Sequence, residues 1–287
     1  HFKAINLELE TKAKALVETR KKQWLEQRKK IQAVELLREK KLLALQVIAN
    51  NLSNVNTTGF KRERANFETQ LYQTVRQSGG ADDGGEGQNS AFTVGTGVRI
   101  VNTQKLHTQG AVISTDNALD LAINGMGFFQ VLMPDGRIGH TRAGAFSRSA
   151  DGILVTPNGY VVQPQIQVPE DATSITIPPA GEVNVILAGQ TTAQNVGQIS
   201  LSNFVNPVGL DPVGENLFVS TDASGEAIEG VPGSGGFGKL QQGYLESSNV
   251  NVVQQLVDMI ETQRAYEVSS KSIKAVDEMM QYVSNNL

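Results

Sequence analysis

Cysteine is absent from the 287 residues, which excludes a disulfide framework, a thiolate zinc site, iron–sulfur ligation and a cysteine nucleophile. Histidine is scarce: His1, His107 and His140 are widely separated and supply little material for metal or acid–base chemistry. Apolar residues never run long enough to suggest a membrane-spanning helix, and the N-terminal stretch carries no apolar core of the secretory type. Glycine is missing before Gly59 and after Gly243, and all 9 prolines lie between Pro134 and Pro232. Since Gly costs a helix interior about 1 kcal/mol and Pro about 3, both ends can form long helices and the middle cannot.

Charge divides along the same lines. Residues 1–41 hold 12 Lys+Arg against 6 Asp+Glu, whereas 59–243 hold 10 against 17, within a formal net charge of −4. The first segment reads as a charged helical arm with a sparse apolar stripe of Leu16, Trp24, Ile31, Val34 and Leu37. Glutamates at 18, 26, 35 and 39 interrupt any phosphate-tracking surface, so nucleic acid is not an expected partner.

From Leu42 to Thr58 no charged residue occurs. Leu45, Ile48 and Leu52 share a helical face, while Asn50, Asn51, Asn54 and Asn56 offer amides that need partners if buried. This spacing predicts a buried helix stopped at Thr57–Thr58–Gly59, with Gly59 as the left-handed residue. From Asn249 to Leu287, Val253, Leu256, Ile260, Ile273, Val276, Met280, Val283 and Leu287 recur at helical steps and predict one long amphipathic helix. A helix of that length needs partners outside its own domain.

Between these ends the pattern has period two and is cut by turn residues: Pro134–Asp135–Gly136, Asp151–Gly152 and Asn158–Gly159 separate apolar runs as hairpin turns do. Further strands are expected over 98–106, 174–177, 183–187, 197–204 and 216–220. The residues together predict one β domain inserted between two helices distant in sequence and adjacent in space. The segments 77–90 and 223–238 read as glycine-rich linkers.

Catalytic and cofactor motifs are missing. Gly125-Met126-Gly127 precedes a strand-like run and lacks the third glycine of a dinucleotide fingerprint, and neither a nucleophile elbow nor a phosphate-binding loop is present. Asp116 and Asp120 could suggest a glycosidase pair, but no aromatic cluster accompanies them as a sugar platform. The expectation is a protein that is not an enzyme and that holds no cofactor and no metal.

Two long stretches then carry a resemblance. VIANNLSNVNTTGFKRERANFE (47–68) and QGYLESSNVNVVQQLVDMIETQRAYEVSSKSIKAVDEMMQ (242–281) resemble the terminal signatures of the bacterial flagellar rod and hook axial proteins. LYQTVRQSGG (71–80), GTGVRIVNTQKLHTQG (95–110) and the stretch 121–164 are similar to the distal rod members of that family rather than to hook or proximal rod members. The resemblance covers roughly 42–287; residues 1–41 depart from it, standing where the family has a short, mildly apolar helix and an export signal.

The resemblance implies an α+β fold in which long N- and C-terminal helices form a coiled-coil-like axial domain with an all-β domain inserted between them. It divides the chain into a charged arm (1–41), an N-terminal axial helix and turn (42–71), a rod-specific linker (72–97), a β-rich outer domain (98–240) and a C-terminal axial helix (241–287). It implies a structural subunit of the basal-body distal rod, in the periplasm, that polymerises into a rigid helical tube carrying torque to the hook. The implied self-assembly interface is Leu45, Ile48, Asn51, Leu52, Leu256, Ile260, Ile273, Val276, Met280 and Val283, and the rod-specific segment includes Tyr72, Gln77, Gly80, Gly95 and Gly97. The implied partners are other copies of the chain, neighbouring rod and hook subunits, the L and P ring bushing and the flagellar type III export apparatus, with no membrane insertion. A hook or proximal rod subunit is the nearest alternative, and a carbohydrate-acting or carbohydrate-binding β protein the more distant one.

Overall fold

The computed structural model describes Glu18, Lys21 and residues 39–76, 92–95, 97–190 and 192–285. Most of the charged arm and the 77–90 linker therefore lie outside the described residues. The chain divides into two compact units, one of Ala49–Arg64 and Gln104–Gln255, the other of His1–Ile48, Ala65–Thr103 and Leu256–Leu287.

Helix α1 covers 39–53 among the described residues. It ends at Ser53, before Gly59, because asparagines compete for its last carbonyls. Asn54 N–H is shared between Asn50 O at 3.1 Å and Asn51 O at 3.3 Å, and Asn54 Nδ2 also donates to Asn50 O at 2.9 Å. The chain then unwinds through a turn to Gly59, which does adopt the left-handed conformation with φ +69°.

Among the described residues twenty strands follow: β1 (Glu63–Thr69), β2 (Tyr72–Arg76), β3 (Phe92–Gly95), β4 (Val98–Lys105), β5 (Val112–Ser114), β6 (Leu121–Asn124) and β7 (Phe128–Leu132). Next come β8 (Ile138–Thr141), β9 (Ser147–Arg148), β10 (Leu154–Val155), β11 (Val161–Gln163), β12 (Ala172–Thr176), β13 (Glu182–Leu187) and β14 (Gln194–Gln198). The last are β15 (Leu201–Asn203), β16 (Asp211–Gly214), β17 (Leu217–Val219), β18 (Ile228–Gly230), β19 (Lys239–Gln242) and β20 (Tyr244–Glu246), before helix α2 (Val252–Asn285).

The core sheet runs β16-β17-β8-β7-β11-β10-β9, with β15 joining β7 to β18. Strand β7 is central: it pairs with β8 on one edge and with β15 and β11 on the other. That position explains why Phe128, Phe129, Gln130 and Val131 are all buried rather than alternating. The three turn pairs seen in the sequence do join antiparallel neighbours, β7 to β8, β9 to β10 and β10 to β11. The run 197–204 is instead two strands, β14 and β15, which pair with different partners.

Smaller sheets β12-β13-β14 and β19-β6 bring Val183, Leu240, Leu121 and Ile123 against Phe129, Val131, Leu154 and Leu201. Each such side chain contributes about 1.5–3 kcal/mol by leaving water. A second cluster, Phe128, Phe204, Leu210 and Phe218, is built of edge-to-face rings.

In the other unit, β1 pairs with β4 and β2 with β3. The β1–β4 ribbon is laced by an exposed Arg99–Glu68 ion pair at 2.7 Å and an Asn66–Asn102 bond at 2.9 Å.

The α+β expectation of long N- and C-terminal helices forming a coiled-coil-like axial domain is corrected. Among the described residues β structure dominates, α1 is described over 39–53 alone, and only α2 is described as a long helix. The uncharged run from Leu42, whose spacing predicts a helix stopped at Thr57–Thr58–Gly59, is helical only to Ser53, because its asparagines turn the chain out of the helix there.

Candidate assembly interface

Helix α2 presents its side chains the wrong way round for a helix closing its own domain. Val253, Leu256, Val257 and Ile260 recur at one-turn spacing and are exposed, at 71%, 43%, 45% and 50%; Val268 is exposed further along. The covered stripe is the more polar one, with Gln255 and Ser269 buried and Asp258, Thr262 and Tyr266 half-buried. Thr262 and Ser269 donate to carbonyls four residues earlier, at 2.7 and 2.8 Å, which is how hydroxyls are tolerated on a covered helical face.

Of the residues expected in the interface, Leu256 and Ile260 therefore face solvent. Ile48 and Asn51 are buried within the chain, and Leu45 and Leu52 are half-buried. Ile273, Val276, Met280 and Val283 lie on α2, with their side chains outside the described residues.

The root of α1 is fixed by hydrogen bonds. Asn51 Oδ1 accepts from Glu63 N–H at 2.7 Å, while its Nδ2 donates to Glu63 O at 2.8 Å and to Gln255 Oε1 at 3.0 Å. Its amide thus closes the turn that follows α1 and also reaches the first turn of α2. Arg62 N–H is taken by Asn249 Oδ1 at 2.8 Å, and Asn249 Nδ2 donates onward to Leu106 O at 2.8 Å.

Beside this network sits a buried ion cluster that no local residue pattern signals. Lys61 Nζ lies 2.6 Å from Glu246 Oε1, and Arg142 Nη1 lies 3.2 Å from Glu246 Oε2. Burial pushes the Lys61 amine below its ordinary range, against the opposing pull of the Glu246 carboxylate. Arg142 is lowered in the same way, by burial first. Lys61 and Glu246 are 185 positions apart, so no local spacing could have joined them.

In the segment 72–97, Tyr72 is exposed and pairs with Gly95 across β2 and β3, while Gly97 O accepts from Gln70 N–H at 2.8 Å. Gln77 and Gly80 lie outside the described residues. Asp116 and Asp120 do not form a facing pair: Asp116 is exposed, and the Asp120 carboxylate accepts from Thr115 Oγ1 at 2.7 Å and Asn117 Nδ2 at 2.9 Å. Asp120 closes its own turn. Among the described residues no group of three or more His, Cys, Asp or Glu could hold a metal, and no helix is long and apolar enough to cross a membrane.

Comparison with known proteins follows the same segments. Residues 41–61 match the family described as "Flagella basal body rod protein", residues 122–185 "Flagellar hook protein FlgE/F/G D1 domain" and residues 241–287 "Flagellar basal body rod FlgEFG protein C-terminal". A protein of Buchnera aphidicola subsp. Acyrthosiphon pisum, "Flagellar basal-body rod protein FlgG", is 50% identical over 240 residues, 84% of this chain and 92% of the relative. The chain belongs to the FlgG family. The FlgG protein of Caulobacter vibrioides is 46% identical over 243 residues, 84% of this chain and 93% of its own. The "Flagellar hook protein FlgE" of Helicobacter mustelae is 46% identical over 123 residues, only 42% of this chain and 27% of its own. FlgG proteins are structural subunits of the flagellar basal-body rod, not a class of enzyme, and this chain is one of them.

Proposed function

We propose that this rod subunit belongs to the distal rod and polymerises into a rigid helical tube that passes motor torque to the hook. The observation that carries the reading is the outward apolar stripe of α2, Val253, Leu256, Val257 and Ile260, which leaves apolar surface in water until another subunit covers it. Leu45, Leu52, Ile273, Val276, Met280 and Val283 extend that self-contact, and Ile48 and Asn51 support it from inside the chain. A head-to-tail contact that does not close on itself builds an open helix, the form a drive shaft requires.

In this reading the segment with Tyr72, Gln77, Gly80, Gly95 and Gly97 sets the rod character. The β-rich 98–240 region faces outward toward the L and P ring bushing, and 241–287 carries the axial contact. Neighbouring rod and hook subunits continue the tube at its ends, and the subunit reaches the periplasm through the flagellar type III export apparatus. A hook subunit is disfavoured because FlgG relatives match 84% of the chain and the hook protein 42%.

Electron microscopy of the concentrated full chain tests this. Straight tubes are expected; curved tubes favour a hook-like subunit, and a chain that stays monomeric at every concentration sinks the proposal.

A further inference from the structure

One carboxylate gathers distant segments of the chain. Glu246 Oε1 accepts from Lys61 Nζ at 2.6 Å and from Gly110 N–H at 2.8 Å, Oε2 accepts from Arg142 Nη1 at 3.2 Å, and the Glu246 backbone oxygen accepts from Gly59 N–H at 2.8 Å. The cations pass the constraint on: Lys61 Nζ also donates to Thr108 O at 2.8 Å, and Arg142 Nη2 to Gly125 O at 2.7 Å. The Lys61 and Glu246 side chains are wholly buried and Arg142 is 5% exposed. Next to the cluster, Gly59 lies so close to the Arg142–Ala143 backbone that a Cβ there would meet Ala143 N at 2.5 Å.

Such a cluster is a poor route to stability. Taking three charges out of water offsets most of their attraction, and apolar side chains of similar volume are often as good or better. What the ions add is direction, because a carboxylate held by several donors fixes an angle where an apolar contact lets surfaces slide.

We propose that Glu246 is a positioning residue that locks residues 49–64 against the β core, removing a local hinge between that segment and the core. The consequence for rod stiffness rests on the rod reading; the locked junction itself does not. Lys61 and Arg142 serve as its arms, one gripping the segment after α1 and the other the end of β8.

The absence of cysteine allows a clean test in the full chain. Spin labels at Asn56→Cys and Ala150→Cys, both exposed, report the distance between the turn after α1 and the β core. The parent is expected to give one narrow distance distribution. The triple variant Lys61→Met, Arg142→Leu, Glu246→Leu strands Gly110 N–H and is expected to unfold at a lower urea midpoint while staying folded without denaturant, where the distribution widens by about twofold or more, as for a locally released segment. A width equal to the parent's overturns the inference.

A second measurement does not require the triple variant to fold. In the parent, the Gly59 and Gly110 amides are expected to exchange hydrogen only through global unfolding, and faster local exchange at either also overturns it. Failure of the parent to polymerise while its distribution stays narrow defeats the rod reading alone.

Discussion

Asn51 and Gln255 touch through their side-chain amides, Nδ2 to Oε1 at 3.0 Å, across 204 positions of sequence. Both side chains are buried, so the bond joins the last turn of α1 to the first turn of α2 out of reach of water. Asn51 simultaneously satisfies the backbone N–H and C=O of Glu63, which would otherwise lack partners where the chain leaves the turn.

Replacing this amide is costly for that reason. Asn51→Leu keeps the volume but strands Glu63 N–H and C=O, and each buried unpaired group costs about 1–3 kcal/mol. Urea unfolding of the variant is expected to show a loss of about 2–3 kcal/mol on that scale. A midpoint equal to the parent's would mean that water reaches these groups.

Glu246→Gln should be more damaging than its small change in shape suggests. It leaves Lys61 and Arg142 buried without a counter-charge, and breaking a buried pair from one side costs about 3–5 kcal/mol. The Lys61 amine, already lowered by burial, is expected to fall further and to lose its proton at accessible pH. Chemical denaturation gives the first effect, and nitrogen NMR of the lysine side chain the second.

Gly59→Ala places a Cβ 2.5 Å from Ala143 N at a backbone angle of φ +69°. The left-handed conformation alone costs an L-residue about 1–2 kcal/mol, and overpacking against backbone typically adds about 1–3. The substitution is expected to lower the thermal midpoint clearly, whereas the same change at Gly136, whose Cβ position is open, carries only the backbone cost.

Acid is expected to destabilise the β core through two histidines. His140 Nδ1 and Ser202 Oγ are hydrogen-bonded at 2.8 Å, and Ser202 Oγ lies 3.3 Å from Phe128 O; burial holds the His140 pKa at about 4 against the pull of Glu229. His107 is also near 4, held there by burial and by the charges of Lys61, Arg142 and Lys105. The unfolded chain, with histidines near 6.5, binds more protons than the folded one throughout the interval from about 6.5 down to about 4. Stability therefore falls as pH drops through that window, by about 3 kcal/mol for His140 alone. His140→Gln should flatten the dependence in urea titrations at pH 7, 5.5 and 4; an unchanged slope would show that His140 does not carry it.

The sequence revealed elements more readily than joints. Asp135–Gly136, Asp151–Gly152 and Asn158–Gly159 announced their hairpins because a two-strand turn is a local event. The end of α1 falls earlier than its apolar spacing predicts because Asn54 acts on carbonyls within its own turn, an effect that such spacing does not register. Glu246 was invisible as a site: its partners Lys61, Gly110 and Arg142 come from separate parts of the chain, and nothing in the composition of any one of them signals burial. The period of α2 was legible, but not which stripe would be covered. That depends on what the rest of the chain offers, and the chain covers the polar side.

That inverted helix makes Ile260 the most informative single change. The residue is 50% exposed, so a charge there meets water in the free subunit and should alter its stability by no more than about 0.5 kcal/mol. In the proposed polymer the same position would lie within the apolar contact, where an unpaired carboxylate costs several kcal/mol per subunit. Ile260→Asp is therefore expected to leave the circular dichroism and unfolding of the chain unchanged while abolishing polymerisation, and Ile260→Leu to restore it. Sedimentation across a concentration series reads both variants. Tubes formed by Ile260→Asp at the parent's critical concentration would place the self-contact elsewhere on the molecule, and loss of β-sheet signal would show that the stripe supports the fold rather than the assembly.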